Sequence, residues 1–210
     1  MKMMPLYRFA RLVARPLVFP FIPYKVKNRE RCPDKGGLII CANHVSMSDA
    51  PRLACVEKRQ IYFMAKAELF HNKLLAALIR ALGAFPVNRG KGDNTAINTA
   101  VELLNEDKLL GIFIEGTRSK DGNLLKPKPG TIMFAAQTNS PIIPVAIATK
   151  NGKVRLFQKA IINCGDPIMP EELNIQEGTS LEYRNASRFV MNRISALREE
   201  ALQVLNQKRK

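Results

Sequence analysis

The stretch GLIICANHVSMSDAPRLACVE (37–57) decides the architecture. Its first six residues, GLIICA (37–42), form an unbroken apolar run, the pattern of a strand buried on both faces. A polar turn follows. Ser48 or Asp49 before Ala50-Pro51 is an ordinary helix start, with the acid as cap or first-turn residue. The same strand–turn–helix order repeats along the chain. Further strands are predicted at 60–64 (QIYFM), 84–88 (AFPVN), 108–114 (KLLGIFI), 142–148 (IIPVAIA), 154–157 and 160–164. Helices are predicted at 50–57, 71–82, 94–105, 130–139 and about 180–207. Apolar strands alternating with amphipathic helices predict an α/β fold, a mixed, mostly parallel-type sheet flanked by helices. No internal repeat or linker divides it, so residues 31–210 read as one domain.

Charge is uneven. The 210 residues carry a net charge of +15. Of this, +7 lies in residues 1–31, where Lys2, Arg8, Arg11, Arg15, Lys25, Lys27, Arg29 and Arg31 face one acid, Glu30. Lys208, Arg209 and Lys210 add a basic end. Such a balance favours an anionic partner, either nucleic acid or an anionic lipid surface. The opening residues are neither a signal peptide nor a spanning helix, because arginines and prolines interrupt the apolar run. At about 100° per residue, Leu6, Phe9, Ala10 and Val13 cluster on one side of a helix and Arg8, Arg11 and Arg15 on the other. Two readings stand level on this pattern: a helix lying in a membrane interface, or one packed on the domain's own core. Pro16 is expected to end or kink the helix, leaving Leu17 to Ile22 as a non-helical apolar extension. Residues 1–30 are thus read as a basic docking segment.

The four cysteines (Cys32, Cys41, Cys55, Cys164) have no metal-ligand spacing and read as reduced thiols. With two histidines in the chain, no zinc site is expected.

In α/β sheets, polar residues at strand carboxyl ends line the ligand crevice. Asn43-His44 follows GLIICA, Asn88 ends AFPVN with Arg89 next, and Glu115 follows KLLGIFI. His44 and Asp49 lie five positions apart, an HX4D pattern. A histidine suits general-base work on an alcohol near neutral pH, and a carboxylate on its far nitrogen would fix the tautomer. A helix-capping role for the acid remains equally open here. No G-x-S-x-G elbow or nucleophilic cysteine is present, so if acyl transfer occurs an acceptor's own hydroxyl is the expected nucleophile. Ser46 and Ser48 are read as loop hydrogen-bonding residues. In EGTRS (115–119), Arg118 offers a planar fork for phosphate oxygens, and Gly116 permits the turn that lets Glu115 and Arg118 face one cavity. A plain surface turn is the competing reading. Lys66, Arg89, Lys126 and Lys128 are further cations near strand or helix ends, each by itself a solvated lysine or arginine.

Four ordered blocks, NHVSMSD (43–49), GAFPVNRG (83–90), EGTRS (115–119) and PIIPV (141–145), resemble the glycerolipid acyltransferase family, specifically its 1-acyl-glycerol-3-phosphate acyltransferases. The resemblance covers residues 43–145. It implies that His44 is the general base and Asp49 its partner. It implies that Arg89, Glu115, Gly116, Thr117 and Arg118 bind the acceptor, its phosphate on the arginines, with Lys66 nearby and Pro144 structural. Asn88 and Ile114 depart from the residues many members carry there, which leaves the acceptor open among lysophosphatidic acid, glycerol-3-phosphate and other lysophospholipids. The implied donor is an acyl-CoA or acyl carrier protein thioester, with no other cofactor. The implied place is the cytoplasmic face of a membrane, peripheral or monotopic. Competing classes are a basic nucleic-acid-binding protein, though no such signature is present; a hydrolase using the same dyad with water; and a non-catalytic lipid binder.

Overall fold

The computed structural model describes residues 3–18, 20–88, 93–150 and 157–207, apart from the side chains of Ala14, Arg15, Leu17 and Val18. Arg89, most of the strand expected at 154–157, and Lys208 to Lys210 lie outside the described residues.

Among the described residues, seven strands form one sheet: β1 (Tyr24–Lys27), β2 (Leu38–Ala42), β3 (Ile61–Lys66), β4 (Ala84–Val87), β5 (Leu109–Phe113), β6 (Ile142–Thr149) and β7 (Ala160–Cys164). Their spatial order is β1-β7-β6-β2-β5-β3-β4. Every neighbouring pair is parallel except β6–β7, so the sheet is mixed and mostly parallel, as the sequence implies. Six α-helices accompany it among the described residues: α1 (Pro5–Val18), α2 (Asp49–Val56), α3 (Lys73–Ala81), α4 (Asn94–Asn105), α5 (Gly130–Thr138) and α6 (Ser180–Gln207).

Alternation along β2 shows how the layers form. Ile39 and Cys41 face a core with Ala100 and Leu104 of α4, Ile132 and Ala135 of α5, and Val190 and Ile194 of α6. Leu38, Ile40 and Ala42 face the other core, with Leu53 of α2 and Ile143, Val145 and Ile147 of β6. Both faces are therefore dry, and the apolar run has no polar alternation to show.

Three local expectations are corrected. The chain stays helical past Pro16 to Val18. A proline this close to a helix end deprives only the last turn of a hydrogen bond, so the break is postponed by two residues. Arg11 does not share the outer face with Arg8. It turns inward, and its guanidinium donates to the Cys55 carbonyl at 3.3 Å. Tyr7 is buried beside it, donating to Ala54 O (3.4 Å) while its oxygen accepts from Ile61 N (3.2 Å). These contacts dock α1 on α2 and β3. Leu6, Phe9 and Leu12 of α1 remain exposed, Leu12 at 71%. Finally, YKVK (24–27), within the stretch assigned to docking, is a sheet-edge strand paired with β7. Among the described residues, no helix is long and apolar enough to cross a membrane.

Candidate active site

Because β2, β5, β3 and β4 are adjacent and parallel, their carboxyl ends emerge on one edge. The β2 end is pinned by Asn43, which is fully buried. Its amide donates to Ile147 O (3.0 Å) and accepts from Ile147 N (2.7 Å), tying the residue before His44 to β6. The sequence reading placed Asn43 among the polar strand-end residues of the crevice, but it is buried in the sheet instead. A polar amide at the end of a run buried on both faces is the signal that could have shown this, since such a group must find partners.

His44 Nδ1 lies 2.9 Å from Asp49 Oδ2. The same oxygen accepts from the Val45 and Ser46 N–H groups, both at 2.7 Å. Asp49 opens α2, yet its carboxylate reaches back over the loop to hold the histidine. The ring stacks on Phe113, 3.9 Å between centroids and 11° from parallel. An ionised carboxylate can only accept, so in the neutral imidazole Nδ1 carries the proton and Nε2 is the acceptor nitrogen. Ser46 and Ser48 hydrogen-bond to each other and within the loop.

His44 borders a cavity of about 670 Å³. Ala50, Pro51, Ala54, Phe63, Leu82 and Phe113 make much of its wall apolar, while Thr117, Arg118 and Lys66 bring polar groups to it. Arg118 and Thr117 are exposed there, carried by the turn after β5 in which Gly116 adopts φ +67°. Lys66, at the end of β3, pairs with Glu68 at 2.8 Å. Lys126 and Lys128 are not among the residues lining this cavity. Pro144 lies within β6, opposite Cys41 of β2, in the buried sheet.

Glu115 sits behind the wall, 1% exposed. Its two oxygens accept from His44 N (3.4 Å) and Leu125 N (3.3 Å), bracing the His44–Asp49 loop against the segment that follows EGTRS. Burial pushes its carboxyl up to about 7 against these backbone hydrogen bonds, and the nearby Asp49 charge adds to the rise. Ser119 N donates to His44 O at 2.8 Å, a second tie between the two loops. Asn88 caps nothing itself, but both its nitrogens donate to Asp93, the N-cap of α4. Among the described residues, no group of three or more His, Cys, Asp or Glu could hold a metal ion. All four cysteines are buried free thiols.

A histidine with one free ring nitrogen, a largely apolar cavity and cations at its border can move a proton next to a substrate that is part lipid and part anion. Comparison with known proteins identifies the family. A family model described as Acyltransferase matches residues 23–148. The chain is 33% identical over 147 residues to the 1-acyl-sn-glycerol-3-phosphate acyltransferase of Bacillus subtilis, covering 69% of this chain and 73% of that protein. It is 29% identical over 139 residues to the protein of the same name from Borreliella burgdorferi, covering 65% of this chain and 54% of the relative. The crystal structure of the 1-acyl-sn-glycerophosphate acyltransferase PlsC from Thermotoga maritima superposes with a TM-score of 0.72 at 25% identity, over 93% of this chain and 77% of that one. The matched region holds β2, α2, β5 and the whole His44–Asp49 loop, and on this ground the chain belongs to the Acyltransferase family.

Proposed function

We propose that the chain transfers a fatty acyl group from a thioester, acyl-CoA or acyl carrier protein, to the free hydroxyl of 1-acyl-glycerol-3-phosphate, giving phosphatidic acid. The observation that carries this reading is His44, tied by Nδ1 to Asp49 at 2.9 Å and bordering a largely apolar cavity beside Arg118. The acceptor hydroxyl attacks the thioester carbonyl carbon while Nε2 of His44 takes its proton. The tetrahedral intermediate then collapses, the C–S bond breaks, and the thiolate recovers that proton from the imidazolium. No acyl-enzyme forms on this route.

In this account Arg118 takes the acceptor phosphate, with Thr117, Lys66 and Arg89 as further contacts. Glu115 and Gly116 shape the loop that presents them. The apolar walls suit an acyl chain. A membrane supplies both lipids, and the exposed Leu6, Phe9 and Leu12 on α1, with Met47, Leu69, Leu74 and Leu78, are the side chains that would insert at the cytoplasmic face.

Mass-spectrometric product analysis tests the reading. Purified protein in anionic vesicles receives palmitoyl thioesters of CoA and of carrier protein, with lysophosphatidic acid and glycerol-3-phosphate competing as acceptors. Phosphatidic acid supports the proposal and its donor dependence names the thioester. Acylated glycerol-3-phosphate alone would replace the acceptor, and free fatty acid alone would replace the transferase with a hydrolase.

A further inference from the structure

Arg52 is fully buried, the sole lysine or arginine so placed among the described residues. It lies one turn beyond Asp49 on α2 and is not among the residues lining the cavity. None of its three side-chain nitrogens has a hydrogen-bond partner among the described residues. The same is true of one atom facing it: Asp49 Oδ1, 3.8 Å from Arg52 Nη1. The dyad's carboxylate is thus divided between two tasks. Oδ2 holds His44 and two backbone N–H groups, while Oδ1 looks only toward the guanidinium. A guanidinium stripped of water is costly unless an opposite charge lies close by, and here that charge is Asp49.

We propose that Arg52 is a positioning residue for the transfer, its buried charge balancing that of Asp49 so that the carboxylate can only accept from His44 Nδ1. The surrounding charges explain why a balance is needed. Glu115 is a second buried carboxyl whose charge and that of Asp49 disfavour each other, while the charge of Arg198 on α6, whose guanidinium donates to Gly122 O, favours ionised Glu115. Arg11, Lys66 and Arg118 lie on the cavity side, half-buried or exposed to solvent. Without Arg52, Asp49 would be a buried carboxylate with no opposite charge beside its Oδ1, the condition under which a neutral carboxyl is favoured. An Asp49 carrying a proton would donate to Nδ1, move the ring proton to Nε2, and leave no base facing the cavity. Arg52 therefore acts on His44 through Asp49 and touches no substrate.

This inference rests on the reading of His44 as the base. Its test is a double-mutant cycle on the full chain, with palmitoyl thioester and lysophosphatidic acid in anionic vesicles. Arg52→Met should lower kcat by about tenfold or more, as for groups that orient metal-bound histidines, with the acceptor KM held within about twofold. Arg52→Lys, which keeps the charge, should recover most of kcat. In an Asp49→Asn background, where no charge remains to balance, Arg52→Met should change kcat by less than about twofold. Equal losses in both backgrounds would overturn the proposal, and so would a raised KM at unchanged kcat or a fully active Arg52→Met. Should Arg52→Met fail to fold, Arg52→Lys carries the cycle: retained kcat in both backgrounds supports the proposal, equal losses in both overturn it. His44→Ala separates the two claims. Retained activity there removes the base itself, whereas an inactive His44→Ala with additive Arg52 losses removes only the role of Arg52.

Discussion

Glutamine at position 115 should stabilise the fold at alkaline pH and leave it little changed at acid pH. Glu115 is almost fully buried, and burial raises its carboxyl from 4.5 to about 7 in the folded chain. Between those values the folded state holds a proton that the unfolded state has released. Stability contributed by this residue is therefore highest in acid and falls as pH rises from about 4.5 to 7, then levels off. A rise of this size is worth roughly 3 kcal/mol, most of it lost between pH 5 and pH 8. Glutamine never ionises, so it avoids that loss. It can still accept from one of the two backbone N–H groups, His44 or Leu125, and forfeits the other bond at about 1 kcal/mol. The net expectation at pH 8 is a gain of roughly 2 kcal/mol, or about 4–8 °C in Tm for a chain of this size. At pH 5 the variant should equal the parent or fall about 1 kcal/mol below it. Thermal melts of both proteins at pH 5, 6.5 and 8 make the comparison. Burial also raises Glu57, but that slope is common to both proteins and cancels. A difference between them that is the same at pH 5 and pH 8, or a variant less stable at pH 8, would refute the reasoning.

Tyr7→Phe removes the hydroxyl that Ile61 N donates to and that donates to Ala54 O, so the fold should lose about 2 kcal/mol, read as a lower Tm. An unchanged Tm would mean that α1 is held by other contacts. Arg118→Ala should raise the KM for the acceptor by roughly 10–100-fold, the worth of a hydrogen bond to a charged group, with a much smaller effect on the donor KM. A selective loss for the donor would place the acceptor phosphate elsewhere. Serine at Leu6, Phe9 and Leu12 together should weaken binding to anionic vesicles by more than about tenfold, since each apolar side chain inserted is worth over 1 kcal/mol. Added salt should then weaken what remains, because only the electrostatic part is left. Co-sedimentation measures both, and retained binding would exclude the α1 stripe as the docking face.

Long apolar runs were the most legible part of the fold. GLIICA and KLLGIFI are buried from both sides, so their residues carry no second pattern to confuse with a helix, and each appears as a strand within one residue of its expected bounds. YKVK was invisible for the opposite reason: an edge strand pairs on one side only, and two lysines in four residues read as loop. Spacing alone left Asp49 equally open as a helix cap; the four ordered blocks singled out His44 and Asp49, whose side chains lie 2.9 Å apart. The partners of Glu115 were not legible, because they are backbone N–H groups 71 and 10 residues away along the chain. Arg11 and Arg52 share one lesson. An arginine on a helix reads as solvated, and only the packed chain reveals the carbonyl or carboxylate that draws it inward.

The most direct test of the account is the rate of phosphatidic acid formation by His44→Ala, in protein whose Tm matches the parent. His44 is 14% exposed and bonded through its side chain only to Asp49 among the described residues, so its removal should leave the fold intact. Loss of the base should lower kcat by roughly 10²–10⁴-fold with the substrate KM values nearly unchanged. A folded His44→Ala that forms phosphatidic acid at the parental rate would contradict general-base catalysis by this histidine, and with it the mechanism proposed for the chain.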